Sequence, residues 1–453
     1  MLNPWTIQSA CSFSVLSNAK SKPGGKPVTD KAYLRREAHR RWYGEQDADF
    51  ARFLLDTAAG ERERWADLMP DPFHRLRPVA APATGTWTNI GPTRADVIKN
   101  GSTSLNQVDS GRPQTIVVDP NNASVIYVAT SGGGVWKTTN GGTSWTPITD
   151  SLGSLSCGYL AMDPANSSVL YLGLGDPFDG TGIGIVKSTD GGATWGPVTT
   201  LGASRTIQFV MVHPTNSNIV MVSTNTGLFR STDGGATYSA VASIASTAKA
   251  WDIAWAGGAD FVLTLESDPA NTSGATAGQV WRSTDSGATW SQVSGIATTA
   301  TRISVASAPG TRSTLYAMAS NSANNLDALY KSTDGGVTWS TLSTTGITDI
   351  LGGQGFYNHG LAVDPTNINR VFVGANLALY RTENGGTSWD QLTHWYGNRH
   401  VYAHADFHCA AWSKTGPSTL FVGNDGGLCI VRDPAIASGS IPTAVSGSVA
   451  SVS

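Results

Sequence analysis

The chain has 453 residues, and its 30 Lys and Arg residues nearly balance its 33 Asp and Glu residues, which leaves a formal net charge of −3. A weakly acidic chain without a dense basic block is not expected to bind nucleic acid. No apolar run reaches the roughly 18 residues that cross a bilayer, so no membrane span is predicted. The four cysteines are too few and too scattered to indicate a disulfide framework or a cysteine-based zinc site.

The segment that precedes residue 86 differs in composition from the rest of the chain. Residues 1–27 are predicted to be a flexible lead, and they lack the basic start and the continuous apolar core of a secretory signal. Residues 28–77 carry apolar side chains at helical spacing and predict a short N-terminal helical extension. Residues 78–85, rich in Pro and Ala, are predicted to be a linker.

One eight-residue pattern then recurs six times at intervals of about 50 residues, a period that is typical of repeat architectures. Each copy, which we call an octet, has Ser or Thr first, Asp or Asn third, Gly fifth and Trp or Tyr last. The octets are residues 138–145, 188–195, 231–238, 283–290, 332–339 and 382–389. The short polar side chain bonds nearby backbone amides and Gly adopts positive φ at little cost, so each octet predicts a tight turn between two strands.

The residues around each octet predict four short antiparallel strands. In the first repeat these strands are residues 115–119, 125–128, 134–137 and 145–148, and the same order of strand and turn signals recurs in five further repeats. A seventh unit begins near His404 and lacks both an octet and an outer strand.

Residues 86–90, Thr-Trp-Thr-Asn-Ile, are similar to the strand that follows an octet, and we predict that they complete the seventh unit. Closure of this kind removes the free sheet edges of an open array. The predicted fold is therefore all-β, a seven-bladed β-propeller over residues 86–432, and residues 433–453 are predicted to be a Ser- and Ala-rich tail.

Antiparallel alternation places the octets at one end of the sheets. The innermost strands begin at the other end, which we call the mouth, together with the turns between second and third strands. Single Arg and Asp residues on loops are usually solvated, so it is their accumulation at the mouth that predicts a site. The polar residues expected there are Arg112, Arg205, Asp252, Arg302, Tyr357, His359, His404 and Asp406, with Asp176, Asp179 and Asp425 from the turns.

The densest group of such residues lies between positions 394 and 408. If residues 404–408 form one strand, His404, Asp406 and His408 share a face, because alternate residues of a strand point the same way. Three interpretations remain open. The three residues could be ligands of a divalent metal such as zinc or manganese, an acid/base pair, or a hydrogen-bonded polar plug in the channel.

The octets resemble the Asp-box, or bacterial neuraminidase repeat. This motif occurs in sialidases, xyloglucanase-type glycoside hydrolases, sortilin-type receptors and a photosystem II assembly factor. It implies a propeller, but it implies no single activity, because proteins with unrelated functions carry it.

Two enzyme resemblances imply particular residues. Xyloglucanase-like enzymes place a catalytic Asp in the turn between second and third strands; Ser131 stands there in the first repeat, and Asp425 in the seventh lacks the aromatic-Arg pair that follows the family's acid. Resemblance to sialidases implies that Arg112, Arg205 and Arg302 clamp a carboxylate, although this chain has neither their Arg-Ile-Pro opening motif nor their Tyr–Glu pair.

Two functional hypotheses follow. In the first, the chain is a glycoside hydrolase-like propeller that acts on or binds a polysaccharide or glycan at the mouth; in the second, it is a noncatalytic scaffold for a protein or peptide. Resemblance to secreted Asp-box proteins implies an extracellular or periplasmic location. Paired carboxylates in an open cleft, at the roughly 5 to 9.5 Å that hydrolysis requires, favour the first hypothesis. A shallow mouth whose charged groups are salt-bridged to one another favours the second.

The hydrolase hypothesis assigns roles to particular side chains. No cofactor is required, and the metal interpretation places a divalent ion at the mouth on His404, Asp406 and His408. The candidate acid/base set is Asp406, Asp425 and His404, and the candidate substrate contacts are Arg112, Arg205, Arg302, Asp252, Tyr357, His359, Trp395 and Tyr402.

Overall fold

The computed structural model describes residues 96–99, 103–108, 111–432 and 449–452, with gaps at 179, 181, 203–204, 268–276, 298, 308–312, 348–349, 396–400 and 414–418. All of them fall in the second of the two units into which the chain divides, Thr88–Ser453. The predicted lead, helical extension and linker lie outside the described residues, as do Asp179 and the segment 86–90.

Seven antiparallel sheets follow one another along the described part of the chain, and we call them blades 1 to 7. Blade 1 contains β3 (Pro113–Asp119), β4 (Asn122–Thr130), β5 (Val135–Thr138) and β6 (Thr146–Pro147); blade 2 contains β7 (Cys157–Asp163), β8 (Asn166–Leu174) and β9 (Gly184–Ser188); blade 3 contains β10 (Ile207–Val212), β11 (Val220–Thr224), β12 (Gly227–Ser231) and β13 (Ser239–Ala240); blade 4 contains β14 (Ala250–Gly257), β15 (Asp260–Leu265), β16 (Gln279–Ser283) and β17 (Ser291–Val293).

The last three blades have the same order. Blade 5 contains β18 (Ala300–Ser307), β19 (Leu315–Asn321), β20 (Leu326–Ser332) and β21 (Ser340–Thr341); blade 6 contains β22 (Gly360–Val363), β23 (Val371–Gly374), β24 (Leu379–Thr382) and β25 (Asp390–Gln391); blade 7 contains β28 (Phe407–Trp412), β29 (Thr419–Asn424), β30 (Gly427–Arg432) and β31 (Val449–Val452). Two smaller sheets are formed by β1 (Asp96–Lys99) with β2 (Thr103–Val108), and by β26 (Thr393–His394) with β27 (Val401–Tyr402).

The central strands of the blades are apolar runs because neighbouring blades cover both of their faces. Every residue of β11 and of β23 is buried, for example. The hydrophobic clusters accordingly lie between blades, and one of them joins Ile116 and Ile126 of blade 1 to Phe421 and Ile430 of blade 7. The innermost strands contact one another in sequence, and β28 contacts β3. The described blades therefore close into a ring, and the predicted seven-bladed β-propeller is confirmed.

The outer strand of blade 7 differs from the prediction. Residues 86–90 were the predicted source, but β31 pairs with β30 in that place, from Leu428 opposite Val452 to Val431 opposite Val449. The ring is therefore completed from the carboxyl-terminal side, by four residues of the segment that composition predicts to be a tail. Strand β31, Val-Ala-Ser-Val, is short and lies in a Ser- and Ala-rich stretch, so the composition of that stretch outweighed its two valines and residues 86–90 were predicted in its place.

Each octet forms a turn held by its own polar side chains. In residues 188–195 the Ser188 hydroxyl donates to Asp190 Oδ1 at 2.8 Å and accepts from Gly192 N at 2.9 Å. Asp190 Oδ1 also accepts from Thr194 N at 2.9 Å. The same bonds recur around Asp233, Asp285 and Asp334. The predicted turn chemistry is confirmed, and these carboxylates serve the backbone.

The basic residue that precedes an octet links its blade to the next one. In four interfaces it donates to the backbone carbonyl at the fourth position of the following octet, at 2.7 to 3.1 Å. The pairs are Lys137 with Gly191, Lys187 with Gly234, Arg230 with Ser286, and Arg282 with Gly335. The octet end thus combines bonds within each turn with a repeated bond between neighbouring blades.

Candidate functional site

The mouth is organised around the ring of Phe178, in the turn between β8 and β9. Asp176 shapes this turn, because its Oδ1 accepts from Phe178 N at 2.7 Å. The ring centroid of Phe178 lies 4.9 Å from that of Tyr357, 5.8 Å from that of Trp251 and 6.3 Å from that of His408. These rings come from blades 6, 4 and 7, so one half-buried aromatic side chain joins four blades.

Arg112 and Asp176 form a buried ion pair beside this ring. Arg112 Nη2 lies 3.2 Å from Asp176 Oδ2, and the two side chains are 7% and 0% exposed. Gln114 donates to the same carboxylate. The Arg112 guanidinium carbon lies 5.5 Å from the ring centroid of Phe178 and 5.3 Å from that of Tyr357. The charge of Arg112 is therefore balanced within the protein.

Arg302 and Asp252 form a second polar group, in the wall of the channel. Arg302 Nη1 donates to Phe356 O at 2.9 Å, and its guanidinium carbon lies 3.7 Å from the ring centroid of Trp251. Burial lowers the pKa of Arg302 to about 10, although the negative charge of Asp252 acts to raise it. Burial also raises the pKa of the Asp252 carboxyl, although Arg302 and a 3.2 Å bond from Val305 N oppose this rise.

His359 joins the same group through Ser304. Its Nδ1 lies 3.0 Å from the Ser304 hydroxyl, which also bonds Asp252. Burial and the nearby charge of Arg302 hold the pKa of His359 well below its usual value, so the imidazole is neutral at neutral pH. The structure thus brings together Asp252, Arg302 and His359, and it adds Ser304.

A third group centres on Asp425, in the turn between β29 and β30. Its Oδ1 accepts from His408 Nε2 at 2.8 Å and from the Tyr357 hydroxyl at 3.1 Å. Burial by itself would raise the pKa of Asp425, but the His408 bond, the charge of Arg112 and the Tyr357 bond hold it below its usual value. Asp425 is therefore an ionised carboxylate whose side chain remains 22% exposed.

Asp406 does not join Asp425 in this group. Its φ is +66°, its side chain is buried, and its Oδ1 accepts from Asn358 Nδ2 at 2.8 Å. Strand β28 begins only at Phe407, so strand alternation does not extend back through Asp406 to His404. The predicted shared face of residues 404, 406 and 408 is therefore wrong.

The other two residues of that prediction also have separate partners. His404 Nδ1 lies 3.1 Å from Ala405 O and its ring lies 6.2 Å from that of Trp395, whereas His408 bonds Asp425. Within the described ranges, no three His, Cys, Asp or Glu side chains are placed to hold a metal ion. The predicted divalent metal site on His404, Asp406 and His408 is not assembled there.

The predicted arginine clamp is assembled only in part. Arg112 and Arg302 both flank Phe178, with guanidinium carbons 5.5 and 5.7 Å from its ring centroid. Arg205 donates to Thr226 O at 2.7 Å and lies over the ring of Phe229 in blade 3. Both of these contacts lie within blade 3. The side chain of Tyr402 is outside the described residues.

No sequence pattern marked Phe178 or Trp251. The turn that carries Phe178 is longer than the corresponding turns of blades 1 and 3, and this departure from the repeat is a signal that could have identified it. Trp251 follows Ala250 at the start of an innermost strand, the position at which the mouth residues of other blades were predicted.

Along the described ranges, no helix has the length and hydrophobicity to cross a membrane.

Comparison with known proteins shows the fold. No protein-family model matches the chain, and no curated protein matches it. A GH74 xyloglucanase structure from Xanthomonas campestris matches over 75% of this chain and 54% of its own, with 19% identity and a TM-score of 0.56. A GH74 enzyme structure from Niastella koreensis matches over 74% and 54%, with 21% identity and a TM-score of 0.55.

A third structure, YCF48 bound to D1 peptide, matches over 72% of this chain and 95% of its own, with 15% identity and a TM-score of 0.50. This chain therefore spans about half the length of the two GH74 proteins and nearly all of YCF48. Structures of the same fold thus include glycoside hydrolases and a propeller that holds a peptide.

Proposed function

We propose that this protein is a noncatalytic binding module that holds a polypeptide at the mouth of its propeller. The observation that carries the proposal is the internal pairing of the mouth carboxylates. Asp176 pairs with Arg112, Asp425 with His408, and Asp406 with Asn358. Polar groups paired in this way fix the shape of a surface, and they leave no free carboxylate among these three residues.

The acid/base chemistry of glycoside hydrolysis fits these carboxyl groups poorly. A general acid must keep its proton near neutral pH and must reach the glycosidic oxygen. Asp425 is ionised, because the pKa of its carboxyl is held below the usual value. Asp406 is 3% exposed. Asp252 has a raised pKa, but its carboxylate accepts from Val305 N in the channel wall.

The aromatic side chains also favour a polypeptide over a sugar. Sugar stacking requires an accessible ring face, whereas Trp251 is buried and carries the Arg302 guanidinium at 3.7 Å. Tyr357 contacts His408 edge-on, with centroids 4.5 Å apart. The resemblance of the octets to the Asp-box and the peptide held by YCF48 support this proposal by analogy of fold alone. The proposal includes the extracellular or periplasmic location implied by that resemblance.

One observation favours a second candidate function, a glycoside hydrolase that uses Asp425. Asp425 is ionised and partly exposed, and it occupies the turn in which xyloglucanase-like enzymes carry a catalytic Asp. An enzyme of this kind needs a second carboxyl group about 5 to 9.5 Å away on the other side of the scissile bond.

Two assays on the same samples separate the candidates. Wild type, Asp425→Asn and Asp233→Asn are incubated with xyloglucan and a panel of other glycans, and released reducing ends are measured. The same proteins and Phe178→Ala are used to pan a random peptide display library. Asp233 lies in an octet, at the end of the sheet opposite the mouth, and is the matched control for the loss of one carboxylate.

We expect no glycan hydrolysis by any variant, and peptides enriched by wild type and Asp233→Asn but not by Phe178→Ala. Hydrolysis by wild type that is lost in Asp425→Asn would overturn the proposal and establish the second candidate.

A further inference from the structure

We infer that the mouth anchors its ligand by a cationic group, an ammonium or guanidinium, received by the Asp425 carboxylate beside the rings of Tyr357 and Phe178. This inference rests on the proposed function and names the chemistry of the ligand. It assigns a role to Asp425, a mouth carboxylate that combines partial exposure with a fixed orientation.

The groups around Asp425 hold it as an anion. Burial alone would raise the pKa of its carboxyl, but the His408 bond, the charge of Arg112 and the Tyr357 bond keep it below the usual value. The buried carboxylate of Asp176 is bonded by Arg112 at 3.2 Å. A cationic group at Asp425 would therefore meet an ionised carboxylate.

Exposure identifies which carboxylate a ligand can reach. The side chain of Asp176 is 0% exposed and Asp406 is 3% exposed, whereas the side chain of Asp425 is 22% exposed. Glu266, which is 24% exposed, is ion-paired with Lys249 at 2.9 Å. The bonds from His408 and Tyr357 both reach its Oδ1, at 2.8 and 3.1 Å, and the Tyr357 hydroxyl is more distant from Oδ2, at 3.4 Å. Oδ2 therefore has room for a charge-assisted bond.

The rings beside Asp425 suit the same kind of ligand. Phe178 and Tyr357 meet edge-on at 4.9 Å with an interplanar angle of 73°. Aromatic rings attract cations. The guanidinium groups of Arg112 and Arg302 lie 5.3 to 5.7 Å from these two rings and repel a further cation. The Asp425 carboxylate must therefore supply the main attraction for a guanidinium or ammonium group.

His408 has a second polar atom that the described residues leave without a hydrogen bond. Its Nε2 lies 2.8 Å from Asp425 Oδ1, and its Nδ1 is buried with no hydrogen-bond partner among the described residues. A buried polar atom without a partner is costly, so a polar ligand that reaches this atom would be favoured. An anionic ligand would meet the Asp425 carboxylate with like charge.

The test uses matched probes that differ in charge and hardly in shape. Butylguanidinium and butylurea are titrated into the full chain, and binding is followed by saturation-transfer NMR. The proteins are wild type, Asp425→Asn, Tyr357→Phe and the control Asp233→Asn. Thermal unfolding of each variant checks that it is folded. If Asp425→Asn does not fold, Tyr357→Phe still tests the site, because it removes the hydroxyl that bonds Asp425 and keeps the aromatic ring.

We expect wild type to bind butylguanidinium about tenfold or more tightly than butylurea, a difference of about 1.4 kcal/mol or more. Asp425→Asn should lose this preference, Tyr357→Phe should weaken it, and Asp233→Asn should keep it. Equal binding of the two probes by wild type, or an unchanged preference in Asp425→Asn, would overturn the inference.

The two proposals fail in distinguishable ways. Enrichment of peptides without Lys or Arg, retained by Asp425→Asn, contradicts the cation site and leaves the peptide-binding function standing. A butylguanidinium site without any peptide enrichment contradicts the function and leaves the cation site.

Discussion

The two ends of the propeller use polar side chains in opposite ways. At the octet end, each Asp bonds its own turn, as Asp190 does with Ser188 two residues before it and Thr194 four residues after it. At the mouth, partners are distant in sequence: Tyr357 and Asp425 are 68 residues apart, and Gln114 and Asp176 are 62 apart. The octet-end bonds, both within a turn and between neighbouring blades, repeat with the sequence and build the scaffold. The mouth bonds cited here occur once and give this chain its particular surface.

The largest expected effect comes from the buried ion pair at the mouth. Arg112→Met removes the charged partner of the fully buried Asp176 carboxylate, which we expect to cost about 3 to 5 kcal/mol of unfolding free energy. Lys137→Met, at the octet end, removes a part-exposed bond to Gly191 and should cost about 1 kcal/mol or less. Urea unfolding midpoints measure both. Equal losses would contradict the contrast between the two ends.

A smaller loss is expected from one octet hydroxyl. Ser231→Ala removes the acceptor of the buried Gly235 N–H and the donor to Asp233, and should cost about 1 to 3 kcal/mol. The control Ser239→Ala lies on an exposed outer strand and should change stability by less than about 0.5 kcal/mol. Thermal unfolding compares the two variants. A loss at Ser231 no larger than at Ser239 would show that the octet bonds do not hold the turns.

These contrasts also show what the sequence could predict. Octets, strands, ring closure and the location of the mouth follow from turn chemistry and alternation, which act within a few residues. Phe178 and Trp251 could not be predicted as neighbours because their contact depends on how blades 2 and 4 pack. The 404–408 prediction was wrong because the positive φ of Asp406 ends alternation one residue before β28 begins. The pairing of His408 with Asp425 depends on the register of blade 7, which composition does not set.

The smallest effect concerns pH. Bonds from Thr194 and Thr237 lower the pKa of Asp190 and Asp233 to about 2, below the roughly 3.9 of an unfolded chain. Because the folded pKa is depressed, these groups stabilise the fold above pH ~4, and that stabilisation is lost as the pH falls toward ~2.

Asp233→Asn removes one such titration. It places at 233 the residue that octets 138–145 and 382–389 carry naturally at the third position. We expect little change in the unfolding temperature at pH 7 and a smaller fall between pH 4 and pH 2 than in wild type. An identical fall in both proteins would show that these carboxylates do not contribute to acid sensitivity.

Peptide capture tests the central claim most directly, because it asks which end of the ring meets a ligand. Wild type, Asp425→Asn and Asp233→Asn are panned against the same random peptide library, and the enriched sequences are counted. The predicted result is a set of Lys- and Arg-containing peptides shared by wild type and Asp233→Asn and lost in Asp425→Asn. Enrichment that survives in Asp425→Asn and disappears in Asp233→Asn would place binding at the octet end and contradict the assignment of the mouth.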